Sequence, residues 1–266
     1  MNTYPRDLSS SRLGRLPHDP VKTVRCLQAH DVLSLSTLPA RPAARDWSQK
    51  DGVDTAYQMF GNDSLSDCVI ASLLDQLVTW AGQTEAAFKP TLQDALDGYQ
   101  RFGGWDPNNS VVTDRGCVML DVVTRLKSEP LAGQTIRGFV HVDPKNLELL
   151  SAALELFGGL WMGWDLPAAW QQADVWGTSP SGSLTGDWAP ASWGRHATHA
   201  PLWSPGMAGL ITWNEHRPFT LDAAPAYCSE AYALVSDELW ATLTSGRCPA
   251  GVDVQRLLDL MPVVGG

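Results

Sequence analysis

The feature that most constrains this chain is a cysteine placed directly before an amphipathic helical pattern. Cys68 closes the run Gly61-Asn62-Asp63-Ser64-Leu65-Ser66-Asp67-Cys68. Val69, Ile70, Leu73, Leu74, Leu77 and Trp80 then recur at spacings of three and four. The pattern predicts a helix that starts near Ser66 or Asp67 and that Gly82 can close. A cysteine in the first turn of a helix faces unpaired backbone N–H groups and the positive end of the helix dipole. Both favour thiolate over thiol.

Acyl transfer by a cysteine needs a thiolate, a base, an oxyanion donor and a group that orients the base. Cys68 offers the thiolate. Asn62, six positions upstream, offers a side-chain NH₂ beside the backbone N–H of Cys68 as oxyanion donors. His196, in Gly194-Arg195-His196-Ala197 ahead of a strand-like segment, offers the base. Each has a plainer reading. Asn62 also suits a turn, since Gly-Asn-Asp-Ser is turn chemistry, and His199 and His216 compete for the role of base. His196 and His199 are three apart and would point to opposite faces of a strand, which disfavours a His-x-x-His metal site. With no carboxylate or cysteine cluster to complete one, no metal and no other cofactor is expected. Cys26, Cys117, Cys228 and Cys248 read as packing residues.

The chain has 266 residues, 44% of them hydrophobic, which is ample for one sizeable core. A net charge of −10 argues against broad phosphate binding, so nucleic acid is not an expected partner. No apolar stretch approaches the ~20 residues that span a bilayer, and Met1–Leu16 has no apolar segment of secretory-signal type. Five scattered cysteines do not make a disulfide framework, so a reducing, cytoplasmic setting is expected. Twelve tryptophans are many for this length; they fit either core bulk or an aromatic-lined cleft.

Residues 1–45 read as an extended N-terminal arm, with one short strand around Val32, Leu33 and Leu35; residues 46–245 read as the domain and 246–266 as a tail. Further helices are expected over Leu92–Phe102, Asp114–Leu126 and from Asp143-Pro144 to Phe157. Strands are expected over Ile136–Val142, Leu160–Leu166, His196–Trp203, Leu210–Trp213 and Ala231–Val235. Residues 167–192, with Trp170, Trp176 and Trp188, show no period and read as a long loop. Helices first and strands later predict an α+β fold of two lobes.

With these residues in place the chain resembles the papain-like cysteine peptidase superfamily. The likeness is to bacterial and bacteriophage proteins with the motifs Asn-Asp-x-x-Gly-Asp-Cys, Gly-Gly-His-Ala and Thr-Trp-Gly, which are distantly similar to the peptidase domains of bacteriocin exporters. The corresponding stretches are Asn62–Cys68, Gly194–Ala197 and Thr212-Trp213-Asn214, and the likeness extends over about Trp47 to Trp240. It implies a helical N-terminal lobe carrying the nucleophile helix, an antiparallel β C-terminal lobe, and a peptide or protein substrate. Cys68 is then nucleophile, His196 base and Asn62 oxyanion donor, with Asp67 and Trp213 lining the cleft. Ser66, Arg195 and Asn214 replace glycines of the motifs, and Ile211 stands where the superfamily places its base-orienting residue. Asn214 is the candidate substitute. The alternative reading is a catalytically degenerate papain-like module with a structural or binding role, for example in a viral or bacterial assembly such as a bacteriophage particle.

Overall fold

The computed structural model describes Leu8 and residues 11–37, 44–48, 57–84 and 88–237. The expected tail 246–266 lies outside the described residues. The arm carries α1 (Pro20–Val24) and α2 (Ala29–Val32), and β1 is Arg45–Asp46. The long α3 (Cys68–Thr84) follows, then α4 (Leu92–Gly98), which runs into a π-turn over Tyr99–Gly103. The short α5 (Ser110–Thr113) and α6 (Met119–Arg125) complete this helical half. Then come β2 (Gly138–His141), α7 (Leu147–Leu156), β3 (Leu160–Leu166), β4 (Gly194–Ser204), β5 (Met207–Thr212), β6 (Glu215–Thr220), α8 (Ala224–Tyr227) and β7 (Cys228–Val235).

Among the described residues the seven strands form one antiparallel sheet in the order β2-β7-β3-β4-β5-β6, with β1 paired to β4. Alternation along the strands divides their side chains between two cores. Met162, Trp164, Ala200 and Ala233 face one core with α7 and the loop tryptophans. Trp161, Ala197, Tyr232 and Leu234 face the other, with α3, α4 and α6. The α+β, two-lobed arrangement expected from the sequence is the one observed.

Four expectations are corrected. Val32 ends a helix and Leu35 lies in a 3₁₀ turn, so no strand forms there as a unit. Leu8, Ala29, Val32 and Leu33 are core residues, so these parts of the arm are built into the domain. The helix expected from Asp114 begins only at Met119: Gly116 has φ +84°, and Cys117 makes strand-like hydrogen bonds to the arm. The helix expected from Asp143 begins at Leu147, capped by the Asn146 side chain, which accepts from the Leu149 N–H. β6 was not expected at all, because Pro218 and three charged or ionisable residues mask its alternation; it pairs with β5.

The tryptophans resolve toward the core. Trp164, Trp170 and Trp176 are fully buried and pack on one another and on Phe219, with Trp170 and Trp176 stacked at 5.0 Å. The loop 167–192 is therefore anchored by apolar area, and its aromatic rings do not present an open surface.

Candidate active site

Cys68 is the first residue of α3, so its N–H lies outside the helical ladder. The carbonyl of Asp67 accepts from Ile70 and Ala71 and starts the helix. The preceding turn is braced from outside: the Ser66 N–H donates to Asp114 Oδ1 (2.8 Å), the Tyr99 hydroxyl donates to the same atom (2.8 Å), and the Gly116 N–H donates to that hydroxyl (2.8 Å). This chain of bonds ties the turn ahead of Cys68 to the segment opposite it.

His196 lies on β4, and the sheet brings that strand to the start of α3. The N–H of Ala197, the residue after His196, is turned on the Cys68 sulfur. His196 Nε2 is hydrogen-bonded to Thr212 Oγ1 at 2.6 Å, and its Nδ1 has no hydrogen-bond partner among the described residues. Trp213 stacks on the imidazole at 4.1 Å with an interplanar angle of 15°. His199 goes elsewhere: its Nε2 pairs with Thr79 Oγ1 (2.8 Å) on α3. His216 sits edge-on to Tyr57. Among the described residues no group of three His, Cys, Asp or Glu side chains is placed to hold a metal ion.

The structure thus sets Trp213 on the His196 imidazole, brings the neighbouring Ala197 backbone to Cys68, and adds Thr212, which the sequence did not single out. Asn214 is not at the imidazole. It is exposed, at φ 59°, in the two-residue turn between β5 and β6, with Trp213 at φ 48°. Both left-handed values suit the mirror-image turn that matches strand twist. Ile211 is buried and pairs with His199 and His216 across the sheet, offering no polar atom. Asn62 lies buried in the turn ahead of α3, with its Oδ1 unpartnered. Asp67 and Trp213 do not line an open cleft: both are buried, Asp67 completely.

The reason is the arm. Residues 12–16 run directly across the thiol, and the Gly14 N–H is turned on the Cys68 sulfur. The Cys117 N–H donates to Gly14 O (2.9 Å), Leu16 N–H to Cys117 O (2.8 Å), Arg15 N–H to Arg195 O (3.3 Å) and Trp213 Nε1 to Arg12 O (3.3 Å). A β-carbon on Gly14 would come to 1.8 Å from Ser66 O, and one on Gly116 to 1.7 Å from Gly14 O. The arm fits only because both positions are glycine.

Closure inverts the electrostatics that a bare helix start would give. Burial pushes the Cys68 thiol up to about 12, although the Ala197 and Gly14 N–H groups and Arg15 oppose it. Burial, reinforced by the Arg15 charge, pushes His196 down to about 3. At neutral pH both shifts leave the group uncharged, a thiol at Cys68 and an imidazole at His196. Burial also lifts the Asp67 carboxyl to about 8, with Asp114 and Asp63 adding to the shift.

Neither a protein-family model nor a curated protein matches this sequence. Solved structures do. Xylellain, a cysteine protease from Xylella fastidiosa, aligns with a TM-score of 0.61 at 12% identity over 88% of this chain and 99% of its own. Digestive procathepsin L2 proteinase from Tenebrio molitor larval midgut aligns at 0.57 and 12% identity, over 87% of this chain and 80% of its own. The Carica candamarcensis cysteine protease CMS1MS2, in complex with E-64, aligns at 0.51 and 14%, over 74% and 99%. The chain has the papain-like cysteine protease fold.

Proposed function

We propose that this chain is a cysteine-dependent amide hydrolase, a peptidase acting on peptide or protein substrates, whose site is closed by its own arm. The observation that carries the reading is a helix-start thiol that receives the N–H of Ala197, the residue directly after a histidine whose Nε2 is held. Nε2 of His196 is engaged by Thr212, so the orphan Nδ1 is the one open to a proton from Cys68. The thiolate attacks the substrate carbonyl carbon, and the oxyanion is met by the Cys68 N–H and the Asn62 side chain. The C–N bond breaks as the imidazolium gives its proton to the leaving amine. Water, deprotonated by His196, then splits the thioester to the acid and the free thiol.

The structural neighbours named as cysteine proteases support this reading. The finer likeness to bacterial and bacteriophage proteins rests on the three short motifs alone. The second reading, a degenerate module of the same fold in a viral or bacterial assembly, is favoured by one observation: Ile211 supplies no orienting group.

The test opens the site by collision. Gly14→Val in the full chain places a side chain against Ser66 O and drives residues 12–16 off the thiol. Iodoacetamide should then modify Cys68 faster than Cys26, with an apparent pKa below the ~8.5 of a free thiol, and a peptide library should be cleaved. Cys68→Ala in that background should abolish cleavage without loss of fold. Ordinary labelling at Cys68 together with no cleavage would favour the degenerate module.

A further inference from the structure

The side chain next to the thiol enters a pocket of its own. Arg15 follows Gly14, and its side chain is fully buried. Nη1 donates to Glu230 Oε1 (2.7 Å). Nη2 donates to Asp165 Oδ1 (2.6 Å), Ser229 Oγ (2.9 Å) and the Trp164 carbonyl (3.1 Å). Gly163 forms the wall: a β-carbon there would lie 2.9 Å from Arg15 Cδ and 2.8 Å from Met119 Sδ. The pocket is therefore walled by two strands, floored by carboxylates, and shaped for a flat, forked cation.

The geometry points to this pocket as the specificity site of the enzyme, selecting an arginine side chain in the substrate residue adjacent to the one acylated; this rests on the peptidase reading above. Arg195 already shares Asp165 at 3.0 Å, so that carboxylate stays paired when the arm leaves. Glu230 does not. Its side chain is fully buried, and among the described residues its side-chain hydrogen bond besides that to Arg15 is from the Tyr232 hydroxyl, which donates at 2.8 Å. A buried carboxylate without its cation is strongly unfavourable, so whatever displaces Arg15 must bring a cation. A planar guanidinium reaches Glu230, Asp165, Ser229 and the Trp164 carbonyl together, which a compact ammonium does not. A neutral side chain of the same length leaves Glu230 unpaired, and selectivity of this kind comes from the rejection as much as from the attraction. The arm is read as an occupant that fills the subsite with the side chain the subsite is built for.

Two readouts test this in the full-length chain. In Arg15→Ala, butylguanidinium should bind at least tenfold more tightly than the neutral isostere butylurea, read by thermal shift, and Glu230→Gln should erase the difference. Should Arg15→Ala not fold, recovery of its circular dichroism by butylguanidinium and not by butylurea gives the same answer. In Gly14→Val, which leaves every pocket residue in place, cleavage of a synthetic peptide library should favour arginine over citrulline at least tenfold at one position. Adding Glu230→Gln should remove that preference while cleavage continues. Equal effects of guanidinium and urea, or cleavage indifferent to arginine, overturn the pocket assignment. Selective guanidinium binding with no cleavage at all overturns the peptidase reading and leaves the pocket standing.

Discussion

Two side chains at the site have responses whose sign follows from their surroundings. Asp67 is fully buried, neither carboxyl oxygen has a partner of full hydrogen-bond geometry, and its pKa is raised to about 8. The folded chain keeps this proton where the unfolded chain, near 3.9, has lost it. The contribution to stability is therefore complete below about pH 4 and is lost as pH rises through about 8, at up to ~1.4 kcal/mol per pH unit. Asp67→Asn should flatten that part of the urea-derived stability profile between pH 5 and 7.5; an unchanged profile would show that Asp67 is ionised in the fold. Thr212 makes the second case. Its hydroxyl is hydrogen-bonded to Nε2 of His196, so on the peptidase reading it is a positioning residue for the base. In the opened enzyme Thr212→Val should lower kcat ~10- to 100-fold, leave KM nearly unchanged and shift the acidic limb of the pH–rate profile. A change in KM alone would make Thr212 a packing residue. The places of Cys68 at a helix start and His196 on a strand were legible because helix start and strand alternation each leave a local mark, whereas Trp213 was expected to line a cleft and is buried on the imidazole. Thr212 was not legible, since its role depends on which side chain the β4–β5 pairing sets beside the imidazole.

Among the elements, those with their own periodicity were legible: α3, β3, β4 and β7 lie within a few residues of expectation. The stretch 114–118 was not, because its apolar residues continue the helical spacing of α6 while Gly116 and the arm hold it extended. What fixes that stretch is Tyr99, at the start of the π-turn that follows α4, whose hydroxyl donates to Asp114 and accepts from Gly116. Tyr99→Phe leaves the buried Gly116 N–H without its acceptor and removes one donor from Asp114. Stability should fall by about 1–3 kcal/mol in chemical denaturation. Because the same carboxylate holds Ser66, ahead of the thiol, Cys68 should also alkylate faster. A stability loss with unchanged Cys68 labelling would mean that the nucleophile turn is held without this network.

At the scale of the molecule, the pairing partners of the arm lie far away in sequence. Arg15 meets Arg195, Trp164 and Glu230, and Leu16 meets Cys117; no local pattern in residues 1–45 announces any of these contacts. Leu8, Ala29, Val32 and Leu33 anchor the arm in the core to either side, while residues 12–16 are held mainly by hydrogen bonds and the Arg15 ion pairs. A segment held that way between two anchors is suited to open as a local unit, below the free energy of global unfolding. The amides of Arg15, Leu16 and Cys117 should accordingly exchange with solvent together, and faster than amides in the middle of α3. Arg15→Gln should raise their exchange at least tenfold and leave α3 unchanged. If these amides instead exchange only with global unfolding, at the rate of α3, residues 12–16 are a permanent part of the core and the thiol is never uncovered in the folded chain.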